Sequence, residues 1–125
     1  MSEFSPAVPV VQAFLEAYNA RDLEAFLAQL ADDVIAEDDA LATLRGKDAM
    51  RALYTPLFAR DEGQHVLLLG RMVNGPYVID KEYVTGRRPQ PFVNLALYRV
   101  EHGKIVYMRL LRDSDSLSDP FNRGG

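Results

Sequence analysis

The chain has 125 residues, of which 48% are hydrophobic, and its formal net charge is −4 at pH 7. This length and composition suit one folded domain with a core and exclude disorder over most of the chain. The negative charge disfavours nucleic acid and anionic membranes as partners, and Arg87-Arg88 is the only adjacent basic pair. No cysteine is present, which excludes disulfides and thiolate metal sites and is compatible with the cytoplasm, where we expect the protein.

The two ends of the chain differ from its middle. The N-terminal "MSEFSPAVPV" has neither a basic region nor a long apolar run, so we predict no signal peptide. No segment reaches the length of a membrane span. The C-terminal "DSDSLSDPFNRGG" is polar and ends in glycine, which predicts a flexible tail from residue 113 onward. We therefore expect a single domain over residues 1–125.

The first half of the chain shows the periodicity of helices. Apolar side chains recur at helical spacing in three segments, which cover residues 10–18, 23–30 and 50–58. Asp22 is suited to cap the second helix, and Gly46 and Gly63 bound the third. We therefore predict three consecutive helices in this half.

The second half has the texture of strands. Alternating runs predict four strands, over residues 65–73, 77–85, 92–100 and 105–112. Helices followed by antiparallel strands predict an α+β fold. The simplest packing is a cone-shaped, curved antiparallel sheet wrapped around the three N-terminal helices. Such packing leaves a cavity between the two layers, where ligands commonly bind.

The stretch "LADDVIAEDD", residues 30–39, places five carboxylates around a short strand predicted over residues 34–37. Asp32 and Asp33 lie where a helix gives way to this strand, which is typical of a solvated turn. Asp38 follows the strand, and it either faces water or lies in a pocket as a general base. Acids flank Asp38 on both sides, so a shift of one residue would change which of them points inward.

A second acidic feature lies in "YVIDKEYVTG", residues 77–86. Alternate residues of a strand share a face, so Asp80 and Glu82 lie on one side and the aromatic residues on the other. A monomer would normally bury the aromatic side and leave the acids near water. If the acids are inside instead, each needs a partner, because an unpaired buried charge is very costly.

Three basic residues are candidate partners for inward acids in this strand. Arg71 lies on the preceding strand, and Arg112 ends the last one. His65 is suited to pair with an acid or to relay a proton.

Three segments of the sequence resemble the nuclear transport factor 2-like superfamily, and within it the ketosteroid isomerase and SnoaL-like branch. They are "VVQAFLEAYNARDLEAFLAQLADDVIAEDD" (10–39), "LRGKDAMRALY" (44–54) and "YRVEHGKIVYMR" (98–109). The resemblance covers most of the chain and implies the cone-shaped, cystatin-like α+β fold. It does not identify an activity, because this fold hosts isomerases, hydrolases, cyclases and non-catalytic domains.

The resemblance allows the isomerase site to be transferred residue by residue. Its carboxylate base falls on Asp38, and a tyrosine that supports the oxyanion hole falls on Tyr54. Its two principal hydrogen-bond donors fall on Phe14 and Leu95, which cannot donate. Losing one such donor costs about 10² to 10³ in rate, so we expect no efficient steroid isomerisation by the family mechanism. Tyr18, one turn beyond Phe14, could offer a replacement hydroxyl.

The resemblance also implies which residues line the pocket. It places Asp80 and Glu82 inside and turns the opposite face of their strand, including Ile79, into a dimer surface. It predicts further inward residues that form an apolar wall, namely Phe14, Phe26, Val93, Leu95, Leu97, Met108 and Leu110. Arg112 shares the face of Met108, whereas Asn94 is expected on the outer face.

Together these features predict a SnoaL-like small-molecule enzyme or binder with an apolar, partly acidic pocket. We expect it to act on a small hydrophobic or carbonyl-containing molecule by cofactor-independent proton transfer, isomerase-like or cyclase-like, with Asp38 as base. No metal site is expected, since His65 and His102 lie far apart in the sequence.

Two alternatives stay open for the function. The first is a non-catalytic ligand-binding or dimerisation domain, which the missing donors favour. The second is water activation by an acid–arginine–acid set as in epoxide hydrolases of this superfamily. Asp80 and Glu82 with Arg71 or Arg112 would supply that set.

Overall fold

The fold consists of three helices and six strands. A computed structural model describes residues 5–38, 41–60 and 62–112, so the tail predicted from residue 113 lies outside the described residues, as does Asp39. The elements in chain order are α1 (Ala7–Ala20), α2 (Leu23–Ala28), β1 (Leu30–Asp38), β2 (Leu41–Arg45), α3 (Lys47–Ala59), β3 (His65–Asn74), β4 (Tyr77–Thr85), β5 (Phe92–Glu101) and β6 (Lys104–Arg112).

The strands form one curved sheet in the order β2-β1-β6-β5-β4-β3. β1 runs parallel to β6, and all other neighbours are antiparallel. α1 packs against β3 to β6, and α3 packs against β1 and β2, so the helices cover one face of the sheet. The predicted α+β fold, with a curved sheet around three helices, is confirmed.

The segment between α2 and α3 differs from its prediction. β1 is longer than the predicted 34–37, and β2 was not predicted at all. The sequence of β2, "LATLR", has no clear alternation, and the strand exists because it pairs with β1 at the edge of the sheet. By contrast, the predicted cap of α2 is confirmed, since the Asp22 carboxylate accepts the Ala25 N–H at 3.1 Å.

Aromatic rings fill the space between the helices and the sheet. Phe14 of α1 stacks on Phe26 of α2 with ring centroids 4.2 Å apart, and Phe26 contacts Tyr54 of α3 at 4.7 Å. Phe14 also meets the ring of Tyr98 on β5 edge to face at 5.8 Å. These contacts fix the three helices relative to each other and to the sheet.

β4 buries its acidic face. Val78, Asp80, Glu82 and Val84 are buried, whereas Tyr77 and Tyr83 are exposed on the other face. The alternative that places Asp80 and Glu82 inside is therefore confirmed.

β5 corrects the sequence prediction by one residue. Leu95, predicted to line the pocket, is 39% exposed on the outer face, and Val93 and Leu97 share that face with it. Asn94, predicted outside, is buried because it pairs directly with the inward Glu82. The inward and outward alternation of side chains could not be carried between β4 and β5, because the loop of residues 86–91 contains two prolines and has no periodicity.

Asp80 is fully buried and is held by an arginine on the neighbouring strand. Arg71 Nε donates to Asp80 Oδ1 at 2.6 Å, and Arg71 Nη2 donates to Asp80 Oδ2 at 2.9 Å. Arg71 Nη1 also donates to Gln12 Oε1 on α1 at 3.0 Å. The predicted pairing of Arg71 with an inward acid is confirmed, and it satisfies both oxygens of a carboxylate that has no access to water.

Arg71→Met should destabilise the fold by about 3 to 5 kcal/mol, because it leaves Asp80 buried without its counter-charge. Equilibrium urea unfolding measures this loss. The double variant Arg71→Met/Asp80→Leu should recover much of it. Arg51→Met, which breaks the exposed pair of Arg51 with Glu24, is the control and should change stability little. Equal effects of Arg71→Met and Arg51→Met would contradict this assignment.

Gly86 starts the loop between β4 and β5 where a side chain has no room. Its φ is +82°, and a Cβ there would lie 2.6 Å from the backbone of Gly63 and Gln64. Gly86→Ala should therefore lower the melting temperature strongly, because the steric clash of the new Cβ adds to a backbone strain of about 1 to 3 kcal/mol from the positive φ. Gly75→Ala is the matched control, because Gly75 also has a positive φ, +58°, but faces open space. Similar losses in the two variants would refute the close approach at Gly86.

Candidate functional site

The main pocket lies between the helices and the covered face of the sheet. The predicted residues Phe14, Phe26, Met108 and Leu110 form part of its apolar wall. Its polar lining consists of Tyr18, Tyr54, Glu82, Arg87, Asn94, Tyr98 and Arg112. The pocket offers about 50 Å³ to the centres of water molecules. That is room for about three to five waters, which suits a small ligand.

A smaller second pocket adjoins the first. It offers about 20 Å³ to the centres of water molecules and is bordered by Asp38. Tyr54, Met108 and Leu110 border both pockets, so they form the wall between them. Asp38 borders only the smaller pocket.

Glu82 carries the one carboxyl group among the described residues that line the main pocket. It is 5% exposed and accepts hydrogen bonds from Asn94 Nδ2 at 3.2 Å and from the Tyr98 hydroxyl at 3.5 Å. Burial raises the pKa of Glu82 to about 7, and the charge of Asp80 acts in the same direction. The two hydrogen bonds and the charge of Arg112 oppose this rise. Glu82 can therefore both take and give a proton near neutral pH.

Asp38 is bound to Arg112 at the end of β6. Arg112 Nε donates to Asp38 Oδ1 at 3.1 Å, and Arg112 Nη2 donates to Asp38 Oδ2. Burial acts to lower the pKa of Arg112, but the hydrogen bonds and charge of Asp38 outweigh it and raise that pKa. Arg112 was expected to pair with an acid of β4, and its observed ion pair is with Asp38 instead. Both Asp38 oxygens thus accept hydrogen bonds from the guanidinium of Arg112.

Two tyrosine hydroxyls reach the main pocket from the helices. No hydrogen bond joins the Tyr54 hydroxyl to any other residue that the structure describes. Burial raises the pKa of Tyr54 to about 12, so this hydroxyl keeps its proton and can donate to a ligand. The Tyr18 hydroxyl accepts a hydrogen bond from Arg87 Nη1 at 3.3 Å.

Six residues that were predicted to line the pocket border neither the main pocket nor the smaller one, namely His65, Arg71, Asp80, Val93, Leu95 and Leu97. His65, at the start of β3, is exposed, because the alternation of the strand turns the next residue, Val66, into the main pocket. Leu95 lies on the outer face, as described above. The histidine relay predicted at this site is therefore wrong.

Three polar residues of the main pocket were missed from the sequence. Asn94 and Tyr98 were missed because the alternation of β5 was assigned one residue out of step. Arg87 was missed because its segment, residues 86–91, reads as a loop. The signal that could have found Arg87 is its place in the only adjacent basic pair of the chain.

Two further classes of site can be addressed from the described ranges. In residues 5–38, 41–60 and 62–112, no three histidine, aspartate or glutamate side chains come together to hold a metal ion. None of the helices in these ranges is long and apolar enough to cross a membrane.

Solved structures with the same fold include proteins of several kinds. An uncharacterised cystatin-fold protein from Novosphingobium aromaticivorans is 25% identical, with a TM-score of 0.74 over 87% of this chain and 99% of that one. An LEH-like epoxide hydrolase from M. tuberculosis is 23% identical, with a TM-score of 0.74 over 86% and 83%. A proposed ketosteroid isomerase from Kribbella flavida is 15% identical, with a TM-score of 0.77 over 87% and 78%. The last two structures are less than 25% identical in sequence to this chain, so they support the fold alone.

Sequence comparison is more specific about the family. No curated protein matches the chain. The SnoaL-like domain, however, matches residues 11–108, which is most of the chain and includes both helical and strand segments of the resemblance. The protein therefore belongs to the SnoaL-like domain family, as its sequence indicated.

Proposed function

We propose that the protein is a small-molecule enzyme that transfers a proton on a carbonyl compound without a cofactor, with Glu82 as the acid–base group. The observation that carries the proposal is the place of Glu82, the carboxyl group of the main pocket, with a pKa of about 7. A general base works best when its pKa lies near the working pH.

The pocket residues supply the two parts of such a reaction. Ionised Glu82 takes a proton from the carbon next to the carbonyl group. The Tyr54 hydroxyl donates a hydrogen bond to the carbonyl oxygen, which gains negative charge as the enolate forms. In a carbonyl compound with a double bond between its β and γ carbons, protonated Glu82 then returns the proton to the γ carbon, and the double bond moves next to the carbonyl group. Atoms and electrons balance within the substrate, so this isomerisation needs no further reactant.

Asp38, the base predicted from the sequence, is the rival acid within this proposal. Its carboxylate borders the smaller pocket and is bound through both oxygens by Arg112. We assign Asp38 the role of holding Arg112 in place. The hydrogen-bonding partners of Glu82 are neutral, so its carboxylate can take a proton without giving up an ion pair.

Substituting the two acids separately distinguishes their roles. Glu82→Gln should lower the rate of proton exchange by about 10²- to 10⁴-fold, because it removes the acid–base group but keeps its shape. Asp38→Asn should lower the rate less, and Glu101→Gln, at the exposed end of β5, is the control. Deuterium uptake by a panel of small carbonyl compounds in D₂O, followed by NMR, measures the rates. A larger loss in Asp38→Asn than in Glu82→Gln would restore Asp38 as the base, and no uptake by the wild type would favour a binding domain.

The raised pKa of Glu82 also predicts how stability depends on pH. The folded protein holds this proton up to about pH 7, whereas the unfolded chain releases it near the ordinary value of 4.5. The stability that this proton contributes is therefore complete below pH 4.5 and is lost as the pH rises to about 7. Glu82→Gln should remove that part of the decline in urea unfolding curves. A carboxyl ¹³C titration of Glu82 with a midpoint near 4.5 would contradict the assignment.

An epoxide-hydrolase-like reaction is a second candidate. Arg112 contacts Asp38 and its charge also acts on Glu82, which gives an acid–arginine–acid set different from the one predicted. Arg71 binds Asp80 and is therefore not part of this set. The same-fold LEH-like epoxide hydrolase of M. tuberculosis gives the candidate its precedent. Formation of an ¹⁸O-labelled diol from small epoxides in H₂¹⁸O would favour it over proton transfer.

We further propose that two copies of the chain associate through the outer face of the sheet. This face exposes large apolar side chains that a monomer would leave in water, namely Leu67, Met72, Tyr77, Tyr83 and Leu95. Ile79 lies among them, paired across the sheet with Met72 and Leu97.

Ile79→Lys should convert the dimer to monomers, because it places a charge in the middle of this apolar face. Light scattering at several concentrations measures the mass. Leu53→Lys is the matched control, since Leu53 is an exposed leucine on α3, away from the sheet face. A persistent dimer in Ile79→Lys, or a monomeric wild type, would reject the proposed interface.

A further inference from the structure

We propose that the main pocket binds a small molecule that carries a carboxylate, and that Arg87 is the residue that binds this group. The proposal rests on the proposed function, because it names the class of substrate for the same pocket. It narrows that substrate from a carbonyl compound to one that is also a carboxylic acid.

Arg87 differs from the two other arginines on the inner side of the sheet. Arg71 and Arg112 each bind a carboxylate of the protein through two hydrogen bonds. Arg87 is also half-buried and lines the main pocket, but no carboxylate of the described residues pairs with it. Its described hydrogen bond is to the neutral Tyr18 hydroxyl, at 3.3 Å. A partly buried guanidinium that no carboxylate of the described residues neutralises can bind the anionic group of a ligand.

The charge balance of the pocket favours an anion. The charges of Arg112 and Asp38 cancel, so among the described residues that line the pocket the remaining charged groups are Arg87 and Glu82. When Glu82 is protonated, the charge of Arg87 makes the net charge of the pocket positive. A ligand with one carboxylate neutralises this charge, and its apolar part can contact Phe14 and Met108.

Arg87 and Tyr54 act on the same part of the pocket. Both line it, and the positive charge of Arg87 acts to lower the pKa of Tyr54. A carboxylate on Arg87 therefore leaves the Tyr54 hydroxyl to hold a second oxygen of the same molecule. A small oxo acid, with a carboxylate and a carbonyl group, satisfies both donors.

The loop after β4 directs Arg87 into the pocket and its neighbour elsewhere. Gly86 packs against the backbone of Gln64, which fixes the start of the loop. The Arg88 guanidinium lies over the Phe92 ring at 3.9 Å and does not line the pocket. Arg88 thus offers a control with the same charge, one position along the same loop.

Binding of butanoate and of its neutral amide, butyramide, tests the proposal by ligand-observed NMR titration. The wild type should bind butanoate about 10-fold or more tightly than butyramide, since a hydrogen bond to a charged group exceeds one to a neutral group by that factor. Arg87→Gln should abolish the preference, and Arg88→Gln should keep it. Thermal melting of each variant verifies that it is folded.

Three outcomes would overturn the proposal: equal binding of the two probes by the wild type, no binding of either, or an unchanged preference in Arg87→Gln. Glu82→Gln separates this inference from the proposed function, because it should retain the preference for butanoate while it loses proton transfer. A lost activity in Glu82→Gln without any carboxylate preference in the wild type would overturn the inference alone. A carboxylate preference with full activity in Glu82→Gln would overturn the proposed function alone.

Discussion

Two carboxylates buried side by side on β4 are the constraint on which the rest of the structure depends. Asp80 has no access to water, so it is held by the guanidinium of Arg71 on the next strand. That pairing commits Arg71 to Asp80, and Glu82 is left with the neutral donors Asn94 and Tyr98. Burial raises the pKa of Glu82 to about 7, and the hydrogen bonds from its two neutral donors offset only part of that rise. The chemistry available to the pocket follows from this unequal distribution of counter-charge.

A second carboxylate is bound by an arginine on a neighbouring strand, between β1 and β6. Asp38 on β1 is matched by Arg112 on β6, and the pair joins a residue that borders the smaller pocket to one that lines the main pocket. Tyr54 borders both pockets and is influenced by the charges of Arg87, Arg112 and Asp38. The carboxylate that the sequence singled out is thus opposed by a cation, and the hydroxyl able to donate to a ligand lies on α3.

The sequence predicted most of the fold because hydrophobic periodicity and caps are local signals. It also predicted the inward face of β4, since the resemblance to the family supplied a register that alternation alone left open. The register of inward and outward residues was wrong by one on β5, because residues 86–91 separate β4 from β5 and their prolines interrupt any period. That single error hid Asn94 and placed Leu95 in the pocket.

The ion pairs were harder to predict from the sequence than the fold, because they depend on which strands are neighbours in the sheet. Arg71 and Asp80 lie on adjacent strands of a hairpin, so their contact could be predicted from a turn signal. Asp38 and Arg112 lie 74 positions apart and meet through the parallel pairing of β1 with β6, which no turn specifies. The partner of Asp38 therefore required the sheet order.

Binding and proton transfer are coupled in the pocket that this charge pattern creates. Arg112 attracts the ionised form of Glu82, and Asp80 repels it. A ligand carboxylate bound to Arg87 would add a negative charge to the pocket that Glu82 lines and so raise the pKa of Glu82 further. The bound state therefore reaches ionised Glu82, the form that begins the reaction, at a higher pH than the empty pocket does. A carboxylate ligand would thus set the protonation state of the group that acts on it, with Tyr54 remaining protonated in both states.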